Sequence, residues 1–339
     1  MSQVNKPSKH VLIIGAASGM GLWAARYWFA ELDDVGCITL CDLESLSGEA
    51  RSTMADAPAT VVYARAEYAS AGLTLVDYET VRSIDNAALQ RPELKNMDLV
   101  VLATPLSVTD VVMNSLRNSL SAGTWLIDMA SVKSAPLQQM IEKSNPDISI
   151  VGTHPLFGIT GDSISGQTVV LVPTCRDSNS LVEWLDHGLT QLGAKTLNVT
   201  AKKHDRYMLI AQTLTHFALM AFGQAVTKSL ETDESLEELR TFGTPPYLSM
   251  GNMTGRLLSQ NHQLYAAIQQ VDGADLIRDS FAKAAQQLAE SFDTGSLKDI
   301  EVHIGELAES YGVKELEDSA RLSEKMFLPN QADDPDTGI

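Results

Sequence analysis

One histidine, His154, stands where proton-transfer chemistry is expected. It follows the apolar run 148–151 and precedes Pro155, which predicts a position at the end of a β-strand. In sheets of mostly parallel strands, ligands bind at the carboxyl ends of the strands. An imidazole titrates near neutral pH and can accept a proton from a hydroxyl group while the carbon loses a hydride. The alternative is a buried histidine that only hydrogen-bonds a loop.

Two further polar residues are predicted at the same sheet edge. The apolar run 124–128 is typical of a strand, and Ser131 and Lys133 follow it closely. Both side chains would then emerge beside His154. The spacing leaves two roles open for Ser131, since serine at such a position is also a common N-cap of the following helix.

A long helical pattern at 203–230 carries other polar candidates. His204 lies near its start, and Met208, Gln212 and His216 follow one another at four-residue intervals, which predicts one shared helix face. Polar side chains on an otherwise apolar helix need partners if they are buried. Gln212 and His216 therefore either line a pocket or hydrogen-bond each other or a neighbouring helix in a dimer core.

The start of the chain matches a dinucleotide-binding turn. The apolar run 10–14 leads into the glycine-containing turn 15–21 and a helical pattern at 22–32. Small residues there let backbone N–H groups approach a pyrophosphate at the positive end of a helix. Asp42 ends a second strand 21 positions after Gly21, the spacing at which an acidic residue binds ribose hydroxyls, so we predict NAD rather than NADP. Thr104 and Pro105 end a further strand and would face the nicotinamide side. The predicted cofactor-binding residues are Gly15, Ala16, Ser18, Gly19, Met20, Gly21, Asp42, Thr104 and Pro105.

The glycine turn also resembles that of the short-chain dehydrogenases. That family needs a tyrosine four positions before a lysine to take the proton, and the chain contains no Tyr-x-x-x-Lys. Tyr311 and Lys314 are three positions apart and lie far from the predicted sheet. The short-chain interpretation therefore lacks its essential base.

Composition limits the possible partners. The chain has 339 residues and a formal net charge of −18, which argues against nucleic-acid and anionic membrane partners. No apolar run is expected to reach the roughly 20 residues of a membrane span, and residues 1–9 lack the apolar segment of a signal peptide. Three cysteines without metal-ligand spacing suit a reducing compartment, and Cys37 and Cys41 are expected to pack within a strand. We predict a cytoplasmic protein with a small-molecule substrate and no bound metal.

The predicted fold class is α/β with two domains. Residues 1–9 are expected to be a flexible N-terminus, 10–175 a Rossmann-like domain with a mostly parallel sheet that ends near Pro173, 176–328 an all-helical domain, and 329–339 a disordered acidic tail. The segment 207–222 is so apolar that it predicts a partner on several sides. We therefore expect the helical domain to form a homodimer.

Four segments together, 130–133, 152–158, 204–206 and 212–217, resemble the prephenate dehydrogenase family, which includes arogenate dehydrogenases. The resemblance runs in order from about residue 10 to about residue 322. Phe157 after His-Pro-Leu and the run Thr215-His216-Phe217 look most like the enterobacterial dehydrogenase that is fused to a chorismate mutase. No mutase segment is expected ahead of it here.

This resemblance implies an NAD-dependent oxidative decarboxylation of a cyclohexadienyl substrate to an aromatic product. It implies that His154 hydrogen-bonds the ring 4-hydroxyl and assists its deprotonation, that Ser131 orients His154, and that His216 belongs to the substrate-side helix. The implied catalytic residues are His154, Ser131 and His216, and the candidate substrate-binding residues are Gln212, His204, Lys133, Arg256, Arg240 and Tyr247.

The chain departs from the family pattern in two places. Ala16 and Ser18 stand where the family's turn normally carries glycine, and Leu248 follows Tyr247 where the family has an arginine that pairs with a substrate carboxylate. Leucine cannot replace the bidentate grip of a guanidinium. Either another cation takes its place, with Arg240, Arg206 and Arg256 as candidates, or the substrate is a relative such as arogenate or 4-amino-4-deoxyprephenate.

Two other classes of function stay open. An NAD-linked oxidoreductase of simple hydroxy acids would use the same kind of sheet and a helical domain, without release of carbon dioxide. A non-enzymatic dinucleotide sensor or scaffold would explain the leucine at position 248.

Overall fold

The computed structural model describes residues 8–69, 72–84, 92–159, 161–176 and 179–327. The chain forms two compact units, Met1–Met208 and Leu209–Ile339. Most of the predicted N-terminus and the whole predicted acidic tail, residues 1–7 and 328–339, lie outside the described residues. The domain boundary was expected near residue 175, whereas the two compact units divide after Met208, because one more strand and two more helices belong to the first unit.

The first unit is built on a nine-stranded sheet in the order β4-β3-β2-β1-β5-β6-β7-β8-β9. Parallel pairs make up six of its eight pairings, and β3–β4 and β7–β8 are antiparallel. The expected end of the sheet near Pro173 is wrong, since β9 pairs with β8. The strands are β1 Lys9–Ile14, β2 Val35–Asp42, β3 Thr60–Ala69, β4 Gly72–Arg82, β5 Leu99–Leu102, β6 Trp125–Asp128, β7 Ser149–Pro155, β8 Thr168–Pro173 and β9 Lys195–Asn198.

Helices cover both faces of this sheet. Alternate residues of β1 pack into two separate cores: Val11 and Ile13 face one, and Leu12 and Ile14 face the other. This alternation is the pattern of a strand buried on both sides. Cys41 on β2 is buried, and burial raises the pKa of its thiol to about 12, so it packs as an apolar side chain. The helices of the first unit are α1 Gly19–Tyr27, α2 Gly48–Met54, α3 Thr109–Leu116, α4 Ser134–Lys143, α5 Asn179–Gln191 and α6 Ala201–Met208.

The regular secondary structure in the described part of the second unit is all helical. It begins with a π-helical turn, Leu209–Leu214, and continues with α7 Thr215–Ser229, α8 Leu236–Thr241, α9 Pro245–Leu258, α10 His262–Ile268, α11 Ala274–Thr294, α12 Leu297–Tyr311 and α13 Val313–Phe327.

The π-helical turn corrects the prediction of one uninterrupted helix at 203–230. The carbonyl oxygen of Thr213 accepts a hydrogen bond of 2.9 Å from the Gln269 side chain, and the Thr215 hydroxyl donates to the Ile210 carbonyl at 3.2 Å. These bonds take carbonyl groups that an α-helix would pair with its own N–H groups. The four-residue spacing of Gln212 and His216 therefore does not place them in one α-helical row.

The helical stretch Ala201–Ser229 is long and apolar enough, by length and composition, to cross a membrane, which contradicts the expectation that no run approaches that length. Only 6% of its most apolar window is buried within the chain. The second unit also exposes other large apolar side chains, including Phe242 at 77%, Leu276 at 71% and Leu297 at 82%. Apolar surface on this scale marks a surface that meets another molecule.

We expect Gly21→Ala to destabilise the first unit. A Cβ at Gly21 would lie 2.2 Å from the carbonyl oxygen of Gly15, so α1 would have to move away from β1. Overpacking of this kind lowers the free energy of unfolding by about 1–3 kcal/mol, which urea denaturation would measure. Gly48→Ala is the control, because a Cβ there meets nothing within 4 Å. Equal stability of the two variants would contradict the close contact.

Candidate active site

The register of the sheet brings the predicted site residues to one edge. Ile14 pairs with Leu102, Leu102 with Asp128, and Asp128 with Gly152. The residues that follow these four therefore emerge at the same level, with His154 two positions beyond Gly152. Adjacent strands are about 4.8 Å apart, so the end of β7 lies about 14 Å along this edge from the glycine turn that follows β1.

The glycine turn keeps the glycines that its geometry requires. Gly15 has a φ of +89°, and a Cβ there would lie 2.8 Å from the carbonyl oxygen of Ala103. Among the described residues other than glycine, only Asp77 has a positive φ, so Ala16 and Ser18 occupy positions open to any residue. Ala16 is fully buried in the core. The departure from the family's glycines thus leaves an ordinary backbone in the turn.

Asp42 holds the turn from the neighbouring strand. Its carboxylate accepts hydrogen bonds from the backbone N–H of Ala17 at 3.0 Å and from that of Leu43 at 2.8 Å. The sheet thus places an acidic side chain beside the turn, as the sequence spacing predicts.

The turn fits a dinucleotide. Ser18 precedes α1 with extended backbone and makes no side-chain cap, so the first N–H groups of α1 are left for an anion. The hydroxyl of Thr104 is buried and has no hydrogen-bond partner among the described residues. Thr104 lies next to Gly15, where a Cβ would be 3.0 Å from the Thr104 nitrogen. Orphaned buried hydroxyls are rare, and this one points to a bound polar group. Pro105, which follows it, is exposed.

His154 is the first member of a hydrogen-bonded chain. It is 3% exposed, and its Nδ1 lies 2.9 Å from Nε2 of His204. The strand β7 extends through His154, which pairs with Val170 of β8, so the histidine sits within the strand's end and not after it. His204, predicted as a substrate-binding residue, is itself 2% exposed and lies beside His154.

Asp205 ends this chain and fixes its proton positions. Nδ1 of His204 lies 2.8 Å from Oδ1 of Asp205. A carboxylate can only accept, so Nδ1 of His204 donates and its Nε2 accepts the proton of His154 Nδ1. Nε2 of His154 is then the basic nitrogen.

The surroundings of His154 favour its neutral form. Burial, the charge of Lys133 and the His204 ring lower the pKa of His154 well below its usual range, and the charge of Asp205 opposes this only in part. At neutral pH the ring is therefore uncharged and able to accept a proton.

Asp205 also caps helix α4. Its two carboxylate oxygens accept the backbone N–H groups of Lys133 and Ser134, each at 2.8 Å. Burial raises the pKa of this carboxyl, but the hydrogen bonds from His204, Ser134 and Lys133 outweigh it and hold the pKa well below the usual range. The sequence pattern did not mark Asp205 as a functional residue, although its position directly after His204 could have indicated one.

Lys133, predicted to bind substrate, is fully buried. Its ammonium group pairs with Asp128 and donates to the Thr153 carbonyl at 2.8 Å. Burial lowers the pKa of Lys133 and raises that of Asp128, and the attraction between the two opposes both shifts. Its stem passes Gly152, where a Cβ would lie 3.0 Å from Lys133 Cδ. The prediction of a substrate contact is corrected: the cation lies beneath His154, away from solvent.

Ser131 is half-buried and makes no hydrogen bond to His154 within the described residues. The alternative N-cap role is also not seen, because Lys133 occupies the N-cap position of α4 and Asp205 supplies the cap. The position of Ser131 at the sheet edge is as predicted, and its role stays a prediction.

In the second unit, His216 packs against Tyr265. The His216 ring meets the Tyr265 ring edge-on at 4.9 Å, and its buried Nδ1 has no hydrogen-bond partner among the described residues. Burial lowers the pKa of His216. Burial raises the pKa of Tyr265, and the charge of Arg256 opposes that rise.

The segment with the missing arginine lies at the start of α9. Leu248 packs over Gly243, where a Cβ would lie 2.5 Å from Leu248 Cδ2. The Tyr247 ring lies 6.2 Å from that of Phe222. Arg240 and Arg256 are both exposed, and neither forms an ion pair within the described part of the chain. Leu248 therefore replaces a cation with an apolar contact.

We expect Asp205→Ala to lower the free energy of unfolding at neutral pH by about 1–2 kcal/mol, the usual cost of losing a helix cap. The folded-state pKa of Asp205 is lowered, so the carboxylate stabilises the fold above the pKa of the unfolded chain and loses this effect as the pH falls. The difference in free energy of unfolding between the variant and the wild type should become smaller below about pH 4. Urea titrations at several pH values would measure it. Asp147→Ala is the control, since that exposed side chain has no partner within the described residues; a gap that does not change with pH would contradict the assignment.

Two family models match consecutive segments of the chain. Residues 68–198 match the model described as prephenate dehydrogenase, nucleotide-binding domain, and residues 200–306 match that described as prephenate dehydrogenase, dimerization domain. The first match begins after the glycine turn and Asp42.

Curated relatives carry related names. Over 178 residues, 52% of this chain, it is 36% identical to a "Probable arogenate/prephenate dehydrogenase" of Methanocaldococcus jannaschii, and the match covers 39% of that protein. Over 241 residues, 68% of this chain, it is 29% identical to a "4-amino-4-deoxyprephenate dehydrogenase" of Streptomyces pristinaespiralis, of which it covers 75%. The chain thus spans less than half the length of the first of these relatives.

A solved structure shows the same fold. The crystal structure of prephenate dehydrogenase from Aquifex aeolicus, in complex with hydroxyphenyl propionate and NAD⁺, matches 89% of this chain and 97% of that one, with a TM-score of 0.62 and 16% identity. The two consecutive domain matches and this shared architecture lead to one conclusion: the chain belongs to the prephenate dehydrogenase family.

Proposed function

We propose that the chain is an NAD-dependent dehydrogenase that oxidatively decarboxylates prephenate or a close cyclohexadienyl relative. Family membership supports this activity, and one observation in the structure carries it: a neutral histidine, His154, held by His204 at the edge where the dinucleotide turn also opens. The names of the relatives from M. jannaschii and S. pristinaespiralis point to the same substrate class.

The residues of the turn would hold the cofactor. Gly15, Gly19 and the N-terminus of α1 receive the pyrophosphate, Asp42 the adenosine ribose hydroxyls, and Thr104 the nicotinamide end. NAD supplies the acceptor for the hydride. The preference for NAD over NADP rests on the negative charge of Asp42.

His154 manages the proton of the reaction. As the ring carbon loses its hydride, Nε2 of His154 accepts the proton of the 4-hydroxyl, and the C–O bond gains double-bond character. Loss of carbon dioxide then returns an electron pair to the ring, and the oxygen recovers its proton as a phenol. The hydride goes to NAD, the carboxylate leaves as carbon dioxide, and the ring becomes a phenol. The proton that His154 accepts from the 4-hydroxyl is therefore returned to the product.

A cation is also needed to bind the substrate carboxylates. We assign this role to Arg256, an exposed arginine without an ion pair among the described residues, whose charge acts on Tyr265, the ring that meets His216 edge-on. Gln212, Tyr247 and Arg240 remain candidate binding residues. A buried ring nitrogen without a partner, such as Nδ1 of His216, is suited to bind a polar substrate group.

A modified substrate is the second candidate. Leu248 removes the family arginine, and the relative from S. pristinaespiralis that covers 68% of this chain is named for 4-amino-4-deoxyprephenate. An amine in place of the 4-hydroxyl would present an N–H donor to His154, where the hydroxyl presents an O–H donor. The sensor alternative needs no neutral histidine at this edge. The simple hydroxy-acid alternative would use the same base, but the family match supports a cyclohexadienyl substrate instead.

We propose that the second unit forms a homodimer. The match to a dimerization domain and the exposed apolar side chains of α11 and α12 support this. Burial by a second copy would also cover the apolar stretch Ala201–Ser229. A cytoplasmic location stays a prediction.

The first test is turnover of NAD with a panel of prephenate, arogenate and 4-amino-4-deoxyprephenate. We expect NADH and carbon dioxide in equal amounts with at least one of them. His154→Asn should lower kcat by about 10²- to 10⁴-fold, the usual contribution of general base catalysis, and leave the Kd for NAD within about twofold. The exposed His187→Asn is the matched control. NAD binding without turnover of any panel member would refute the proposed activity.

The second test concerns carboxylate recognition. Arg256→Gln should raise KM for the accepted substrate about 30-fold, which corresponds to about 2 kcal/mol for a lost charged contact. Arg240→Gln, which changes the other exposed candidate arginine of the second unit, should stay near the wild type. Steady-state kinetics of both variants decide between the two side chains. A larger increase in KM for Arg240→Gln than for Arg256→Gln would assign carboxylate binding to Arg240 instead.

A further inference from the structure

We propose that the proton borrowed by His154 is passed one ring further and held by His204, where Asp205 neutralises its charge, until it returns to the product. This inference rests on the proposed dehydrogenase activity. It makes His204 and Asp205 positioning and relay residues of the reaction and removes them from direct substrate contact.

The geometry supplies a continuous path. Nδ1 of His154 is 2.9 Å from Nε2 of His204, and Nδ1 of His204 is 2.8 Å from Asp205. When Nε2 of His154 gains the substrate proton, its Nδ1–H can move to His204 Nε2. At His154 one N–H bond forms at Nε2 and one breaks at Nδ1, and at His204 one N–H bond forms at Nε2, so the charge of +1 moves from His154 to His204. Both rings are nearly inaccessible to solvent, so water does not compete for the proton.

The fixed charges around the pair favour this transfer. The charge of the buried Lys133 ammonium, which donates to the carbonyl of the neighbouring Thr153, disfavours a positive charge on His154, and its partner Asp128 reduces this repulsion. His204 is in direct contact with the carboxylate of Asp205. In a poorly solvated interior, a charge beside an opposite charge is favoured over one beside a like charge. The imidazolium is therefore more stable on His204 than on His154.

Asp205 is built to keep its own charge. It accepts three hydrogen bonds, from His204, Lys133 N–H and Ser134 N–H. Protonation of Asp205 would break at least one of them. The proton therefore stops at His204, and the reaction can return it along the same path.

The first experiment follows the resting protein by NMR. As the pH falls, the ring ¹⁵N shifts should show the first proton of the pair on His204, with signals assigned from His154→Gln and His204→Gln. The groups that set this order are Lys133, Asp128 and Asp205. First protonation of His154 would overturn the proposal, whatever substrate the enzyme uses.

The second experiment measures single-turnover NADH formation in mixtures of H₂O and D₂O. Two protons in flight give a curved dependence on the deuterium fraction in the wild type. His204→Gln retains an acceptor for His154 Nδ1–H but cannot carry the proton, so the dependence should become linear and the rate should fall about 10- to 100-fold. His187→Gln on α5 is the matched control, with unchanged rate and curvature.

The outcomes separate the two proposals. A linear dependence in the wild type, or the same curvature in His204→Gln, overturns the relay and leaves the dehydrogenase activity standing. Absence of turnover in the wild type refutes the proposed activity, and the NMR titration still decides where the proton rests. The Kd for NAD, expected within about twofold of the wild type in His204→Gln, shows that the variant keeps its fold and its cofactor site.

Discussion

One carboxylate, that of Asp205, connects the parts of the first unit that matter for chemistry. It satisfies two backbone N–H groups at the start of α4 and at the same time orients the ring of His204. Helix starts leave such N–H groups without intrahelical partners, so the cap has a structural reason of its own. Because the same side chain fixes His204, the orientation of the His154 ring depends on how α6 packs on α4.

A buried ion pair lies beneath this chain of contacts. Lys133 and Asp128 would each be costly to bury alone, and a buried pair adds little net stability. Here the charge of Lys133 disfavours a positive charge on His154 at the sheet edge. Gly152 makes room for its stem, so the glycine of the motif serves the lysine below it as well as the strand. Stability and the acid–base properties of His154 are thus tied to the same few residues.

Local patterns predicted much of this structure. Apolar runs and the residues that bound them predicted the strands around 10–14, 37–41, 98–103 and 124–128. They also predicted the glycine turn and the sheet edge that carries His154. The burial of Lys133, the cap from Asp205 and the strand β9 depend on contacts between residues far apart in the sequence, which periodicity does not report. The polar pattern of Lys195–Asn198 gave no strand signal, because that strand is mostly exposed.

The π-helical turn at Leu209–Leu214 has a consequence for comparing this chain with its relatives. A residue more or fewer in one turn rotates everything that follows by about 100° about the helix axis. The number of residues in the preceding turn therefore determines the orientation of the His216 ring as much as the identity of the side chains does. A relative lacking the additional residue could preserve every motif letter and still present a different side of that helix to its ligand.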